Sequence, residues 1–374
     1  MALALLPISA SAHARLLASS PLPGSVLDAI PSTVILDFSE PVTAAGRGIS
    51  VYGPDGRLEG AGGVRTQGAQ MSVAVAPSAA QGTYAVVWTV VSEDTHPSRG
   101  EFTFSVGHTS PVRAPGFGGD VGLASPVGLA LQAFGRWLHF VGFSLGFGAA
   151  AYALFTGRDP RPLRLATAGV VLMLAGEPVS LLAQTASLDP SQTFDGDAIT
   201  SALGSPFGRV LGLRLAAAIL LWALLGALRQ APWLRWAVPA TGIALALVDA
   251  TAAHPTPSLP LPVGLLLNGM HVAAMGMWLG GLAGFAVAPA GGFHRVATWS
   301  AGLLVLSGAT LALLHFSQPL ELLTTPYGES LLVKLPLVAI ALWLAWRARR
   351  RWELGILTVV LLAAAVLVSL PPPR

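Results

Sequence analysis

The spacing of hydrophobic positions changes near residue 125. Before it, apolar residues alternate with polar ones in short runs: Val34–Glu40, Ile49–Tyr52, Met71–Val75, Tyr84–Val91 and Glu101–Val106. Side chains alternate across a strand, so these runs predict β-strands, with Gly53-Pro54-Asp55-Gly56 as turn chemistry between two of them. Several short strands without a helical period predict an all-β Greek-key domain over residues 13–107, a barrel or a sandwich of the immunoglobulin-like kind. Residues 108–125 are rich in Gly, Pro and Ser and predict a flexible linker, with His108 as a residue that can pass metal along it.

From residue 126 to 374 the apolar runs are long enough to cross a hydrocarbon core of about 30 Å. They predict an all-α polytopic membrane domain of about eight helices, at 127–156, 162–186, 206–229, 234–253, 263–288, 295–317, 328–348 and 353–370. Arg158/Arg161/Arg164, Arg229/Arg235, His294/Arg295 and Arg347/Arg349/Arg350/Arg351 fall on one side of these spans. Asp189/Asp195/Asp197 and Glu321/Glu329 fall on the other. The positive-inside rule places the arginine loops in the cytoplasm, and an even number of spans then leaves the β domain and the C-terminus in the periplasm. The membrane half also repeats. Gly135–Val141, with His139, aligns with Leu267–Ala273, with His271, at an offset of 132; Leu174-Ala175-Gly176 aligns with Leu306-Ser307-Gly308 at the same offset. Ser205–Gly208 with Arg214 aligns with Thr325–Gly328 with Lys334 at an offset of 120. Two four-helix units of equal orientation predict an axis along the membrane normal.

Composition narrows the function classes. Charged residues make up 10% of the chain and hydrophobic ones 53%, too apolar for an ordinary soluble protein. The sequence pI of about 9.8 comes from arginines between spans, not from a basic cluster with interleaved aromatics, so nucleic acid is not an expected partner and the lipid bilayer is. With no cysteine, metal chemistry here falls to His, Met, carboxylate and backbone groups.

Candidate ligands sit at the two ends of the β domain. Residues 1–12 read as a signal peptide, an apolar core followed by Ser9-Ala10-Ser11-Ala12, whose cleavage exposes His13 as a new N-terminus. A free α-amino group and the imidazole of the same residue chelate one cation together. Asp94 and His96, two apart on extended chain, share a face and add two donors. This nitrogen- and oxygen-rich set suits tetragonal Cu(II), and Zn(II) accepts similar donors.

His13-Ala14, Ser19-Ser20-Pro21 with Gly24, Phe38-Ser39-Glu40-Pro41-Val42, Gly82-Thr83-Tyr84 through Trp88, and Ser92-x-Asp94-x-His96-Pro97-x-x-Gly100 resemble CopC, a periplasmic copper-binding family. The resemblance covers the whole β domain. It implies a cupredoxin-like fold that holds Cu(II) through His13, Asp94 and His96, with Glu40 matching a carboxylate near the site in some members. With Met71 alone after the leader, the domain lacks the methionine-rich segment that serves Cu(I) in other members. The membrane half resembles CopD, the inner-membrane partner of CopC, in His271-x-x-Ala274-x-x-x-Trp278-Leu279-Gly280-Gly281, Ala253-His254-Pro255 and Thr325-Pro326-Tyr327-Gly328 with Lys334-Leu335. The chain thus resembles a CopC–CopD fusion. That resemblance implies copper handling at the inner membrane, with periplasmic copper chaperones as candidate partners.

Ionisable residues inside spans are costly in lipid, which makes His139, Glu177, Asp249, His254, His271 and His315 functional candidates. Met275 shares a helix face with His271, and Met173 with Glu177. The expected membrane copper pathway is His139, Glu177, His271 and Met275, with His254 near a span end. Two functions follow. One is a non-enzymatic protein that captures Cu(II) in the periplasm and passes copper to or across the inner membrane. The other is an oxidoreductase in which two symmetry-related histidines ligate a haem and reduce the delivered copper.

Overall fold

The structure, a computed structural model, describes residues 14–60, 63–92, 97–114, 117–118, 125–156, 159–187, 193–253, 258–316 and 318–370. Two compact units divide the chain: residues 13–129 with 181–209, and residues 130–180 with 210–374.

The first unit contains a β-sandwich. Its strands are β1 (Leu16–Ser20), β2 (Val26–Leu27), β3 (Thr33–Phe38), β4 (Val42–Tyr52), β5 (Arg65–Gln67), β6 (Gln70–Ala74), β7 (Gly82–Ser92) and β8 (Pro97–Val106). One sheet has the order β1-β3-β6-β5 and the other β2-β8-β7-β4. All pairings are antiparallel except β2 with β8. Alternation along β3 buries Val34, Leu36 and Phe38, which meet Val73, Tyr84, Val86, Trp88 and Phe104 between the sheets. Phe38 meets Trp88 edge to face at 5.1 Å, and Tyr84 stacks on Phe104 at 5.2 Å. The five predicted strands are β3, β4, β6, β7 and β8. The other three carry no apolar period: β2 has two residues and β5 (Arg-Thr-Gln) is exposed throughout.

The linker region is tied to the domain over its first residues. Ser110 and Thr83 exchange hydrogen bonds, and Gly118 N donates to Glu101 Oε1 at 2.6 Å. In the same unit α3 (Gly196–Gly204), capped by Asp195, packs on β4.

The remaining long helices are α1 (Pro126–Thr156), α2 (Arg161–Ala186), α4 (Pro206–Ala227), α5 (Ala237–Thr251), α6 (Leu261–Val287), α7 (Phe293–His315), α8 (Pro326–Trp346) and α9 (Arg350–Ser369). Each matches one predicted span. Among the described residues seven are long and apolar enough to cross a membrane. The eighth, α5, has 15 residues and continues a five-residue 3₁₀ turn at Pro232–Trp236. At about 1.5 Å per α-helical and about 2.0 Å per 3₁₀ residue, the two together reach about 32 Å, the thickness of the core. Trp233, Trp236, Trp299, Trp346 and Trp352 are all more than 70% exposed and stand at the arginine-bearing ends. Arg347 lies over the rings of Trp343 and Trp346. This is the aromatic belt expected at a membrane interface.

α1 is broken by a π-helical turn at Ser144–Ala149. There it crosses α6, and the contacts are reciprocal. A methyl group on Gly148 would collide with the carbonyl of Gly276, and one on Gly280 with the carbonyl of Ser144. Ser144 and Gly148 correspond to Gly276 and Gly280 at the repeat offset of 132 (276 − 144 and 280 − 148). Each half of the contact is therefore the image of the other, and the two-fold relation of the repeats runs through this crossing.

Candidate functional site

In the membrane half, four ionisable side chains from four helices form one buried chain. His139 comes from α1, Glu177 from α2, Arg214 from α4 and Asp249 from α5. The helices approach closely at this level: a methyl on Gly176 would stand 3.2 Å from the backbone nitrogen of His139. Short side chains can then span the gap. His139 Nδ1 lies 2.7 Å from Glu177 Oε1, and its Nε2 lies 3.1 Å from Asp249 Oδ2. Arg214 Nε donates to Asp249 Oδ1 at 2.7 Å. The side chains of His139, Glu177 and Asp249 are at most 2% exposed, and that of Arg214 is 11% exposed. Such charges persist in hydrocarbon only when paired, and here each is.

This geometry engages both imidazole nitrogens of His139 with carboxylates. Among the described residues no three His, Cys, Asp or Glu side chains are grouped as metal ligands. Of the four expected pathway residues, the structure joins His139 to Glu177 but turns His271 elsewhere. His271 Nδ1 lies 2.9 Å from Ser307 Oγ on α7, within electrostatic reach of Lys334 on α8. Met275 packs into the apolar clusters around Phe143 and Trp278. His254 lies outside the described residues. His315 bonds the Leu311 carbonyl and stacks on Tyr327 at 6.1 Å.

The sequence reading singled out Asp249 only as a candidate and used Arg214 only as a repeat marker. The available signal was a charge inside each of two apolar runs, since an intramembrane cation requires an intramembrane anion.

In the β domain, His13, Asp94 and His96 also lie outside the described residues. The chain beside them is described. Ala14 N donates to Ser92 Oγ at 3.2 Å. Arg15 N donates to Ser39 Oγ at 3.0 Å, and Ser39 N donates to the Arg15 carbonyl. Val42 pairs with Ser92 across β4 and β7. The segments preceding Asp94, following His13 and preceding Glu40 are thus tied together at one end of the sandwich. Glu40 itself sits partly buried in the β3–β4 turn.

Comparison with known proteins gives three matches along the chain. Residues 16–107 match the CopC domain model, 127–256 the copper resistance protein D-like N-terminal domain, and 287–367 copper resistance protein D. Copper transport protein CutJ of Bacillus subtilis (strain 168) is 26% identical over 417 residues, covering 99% of this chain and 76% of the relative. Protein YobA of Escherichia coli (strain K12) is 35% identical over 25% of this chain and 79% of its own length. Copper resistance protein C of Xanthomonas campestris pv. juglandis is 32% identical over 28% of this chain and 89% of its own. Among solved structures, CopC from Methylosinus trichosporium OB3b is 28% identical, covers 27% of this chain and 99% of that one, and superposes with a TM-score of 0.24. PcoC from Escherichia coli, described as a methionine-rich copper resistance protein, is 30% identical over 25% of this chain and 98% of its own, with a TM-score of 0.22.

Proposed function

Since this chain belongs to the copper-resistance proteins that join a CopC domain to a CopD membrane domain, we propose that it captures Cu(II) in the periplasm and carries copper across the inner membrane. One observation carries the reading: a β-sandwich and a polytopic helical half, each matching a copper-resistance domain, occupy a single polypeptide. Joining donor and acceptor makes the handover intramolecular and raises the effective concentration at the acceptor. His13, with its amine, Asp94 and His96 form the capture site, and Glu40 stands beside it. The hydrogen bonds of Ala14 to Ser92 and of Arg15 to Ser39 support this, because they hold the neighbouring segments together.

In the membrane half, His271 and Met275 are the copper-facing groups. Imidazole and thioether one helical turn apart suit copper in either oxidation state better than a hard cation. His139 and Glu177 belong to the ion-paired chain with Asp249 and Arg214. The arginine-rich loops support a cytoplasmic placement for those ends. The capture site is tested in the full-length protein by inserting one residue before His13, which separates the amine from the imidazole. Cu(II) affinity falls if the reading holds; affinity equal to that of the unaltered protein contradicts it.

A further inference from the structure

We propose that the Glu177–His139–Asp249–Arg214 chain is a proton-binding site, and that the membrane half exchanges one proton for each singly charged copper ion it carries. This rests on the transport reading above. Each of the two N···O contacts of His139 needs one proton on its line. Arg214 donates to Asp249 from the other side, so Asp249 acts as acceptor and Nε2 carries a proton. On the 2.7 Å line to Glu177, the second proton sits on Nδ1 or on Oε1, and no heavy atom need move between the two forms. In both the four groups sum to zero charge. Loss of that proton leaves one negative charge in a medium where Coulomb interactions are little screened, and a cation at His271 and Met275 compensates it. No electron moves in this step: one proton leaves for each singly charged copper ion that enters.

The site also has an open end. Glu177 Oε2 is buried and has no hydrogen-bond partner, an expensive state for a carboxylate oxygen in hydrocarbon and a place for a proton to arrive. Beside it α2 contains Pro178, which removes the helical hydrogen bond to the Leu174 carbonyl. Along α1 the π-helical turn follows His139 within two turns. Breaks of this kind are frequent at functional sites.

The charged groups facing His139 are Glu177 from α2, Asp249 from α5 and, through it, Arg214 from α4. α6 contributes Val272, Ala273 and Met275 to the adjoining apolar cluster, and its His271 turns to Ser307. α9 is joined to α1 by Arg136, which donates to Ser369 Oγ and the Val368 carbonyl, while its Glu353 pairs with Arg350. At the offset of 132 the second repeat has Ala309 where the first has Glu177, and His271 turns to Ser307, the counterpart of Ala175. Shared helix packing alone therefore does not require the carboxylate.

The test uses the full-length protein in phosphatidylethanolamine–phosphatidylglycerol vesicles with a pH-sensitive dye inside and ascorbate-reduced copper outside. Copper entry should make the interior more alkaline, and for one proton per singly charged copper each pH unit of imposed gradient should shift the steady-state copper ratio about tenfold. Glu177→Gln mimics the protonated carboxyl and keeps the volume; it should abolish both effects while thermal stability is retained. Copper entry in the unaltered protein without proton movement and without response to the gradient overturns the inference and leaves the transport reading standing. Absence of copper entry in the unaltered protein overturns the transport reading. Infrared difference spectra on copper addition then decide the proton site alone: loss of a protonated-carboxyl or imidazolium band that Glu177→Gln no longer shows retains it, and spectra in which both bands are unchanged remove it.

Discussion

His139 shows what a residue's position in a repeat does and does not determine. Its alignment with His271 at an offset of 132 marks both as intramembrane imidazoles, and the structure keeps both inside the helical half. Equivalence under a two-fold axis is not convergence, because only residues at the axis meet their images. Here those are Gly148 and Gly280, which carry the same offset and approach each other closely. Which partner each imidazole takes depends on helix rotation, which apolar spacing leaves open once helices are hydrophobic all round. The tetrad gives a stability prediction. Arg214→Met strands the Asp249 carboxylate with only His139, and breaking a buried pair this way costs about 3–5 kcal/mol. In the double variant Arg214→Met/Asp249→Asn the stranded charge is gone, and part of the loss should return. Unfolding of the detergent-solubilised protein measures both; a double variant no more stable than the single one contradicts the pairing. At the crossing, Gly280→Ala drives a methyl into the Ser144 carbonyl. Overpacking of this kind costs about 1–3 kcal/mol, and the same unfolding measurement should show it.

At the scale of elements, length and period were the informative signals. The long spans and the five half-buried strands follow from periodicity alone. Strands β1, β2 and β5 did not, because an edge strand packs little against the core and needs no apolar alternation. The helix α3 was also missed: nine residues are too few for a period to stand out beside the polar Gly196-Asp197 start. α5 determines the topology, because its span and its 3₁₀ extension together decide whether the crossings are even. The chain has no cysteine, so single introduced thiols report sidedness directly. Gln230→Cys should react only with reagent supplied from the cytoplasm and Ser258→Cys only from the periplasm. Labelling of both from one side means that 232–251 does not cross.

Across the whole molecule, the division into a sandwich and a helical half was legible from the shift in apolar spacing near residue 125, and the comparisons match copper-resistance domains on each side of it. What carried least signal was the chemistry linking the halves, since transport needs a path rather than a motif. The account predicts that the leader-processed protein binds one Cu(II) per chain in the β domain and that His271→Ala leaves this binding unchanged; titration of the full-length protein with Cu(II) checks both. The most direct measurement is uptake of radioactive copper into membrane vesicles of known orientation that carry the full-length chain. With the β domain facing outward, copper should accumulate inside well beyond one ion per chain, and the His271→Ala protein should accumulate none. Copper retained only at binding stoichiometry by the unaltered protein, or accumulation undiminished by His271→Ala together with Met275→Ala, would contradict the path proposed through the membrane.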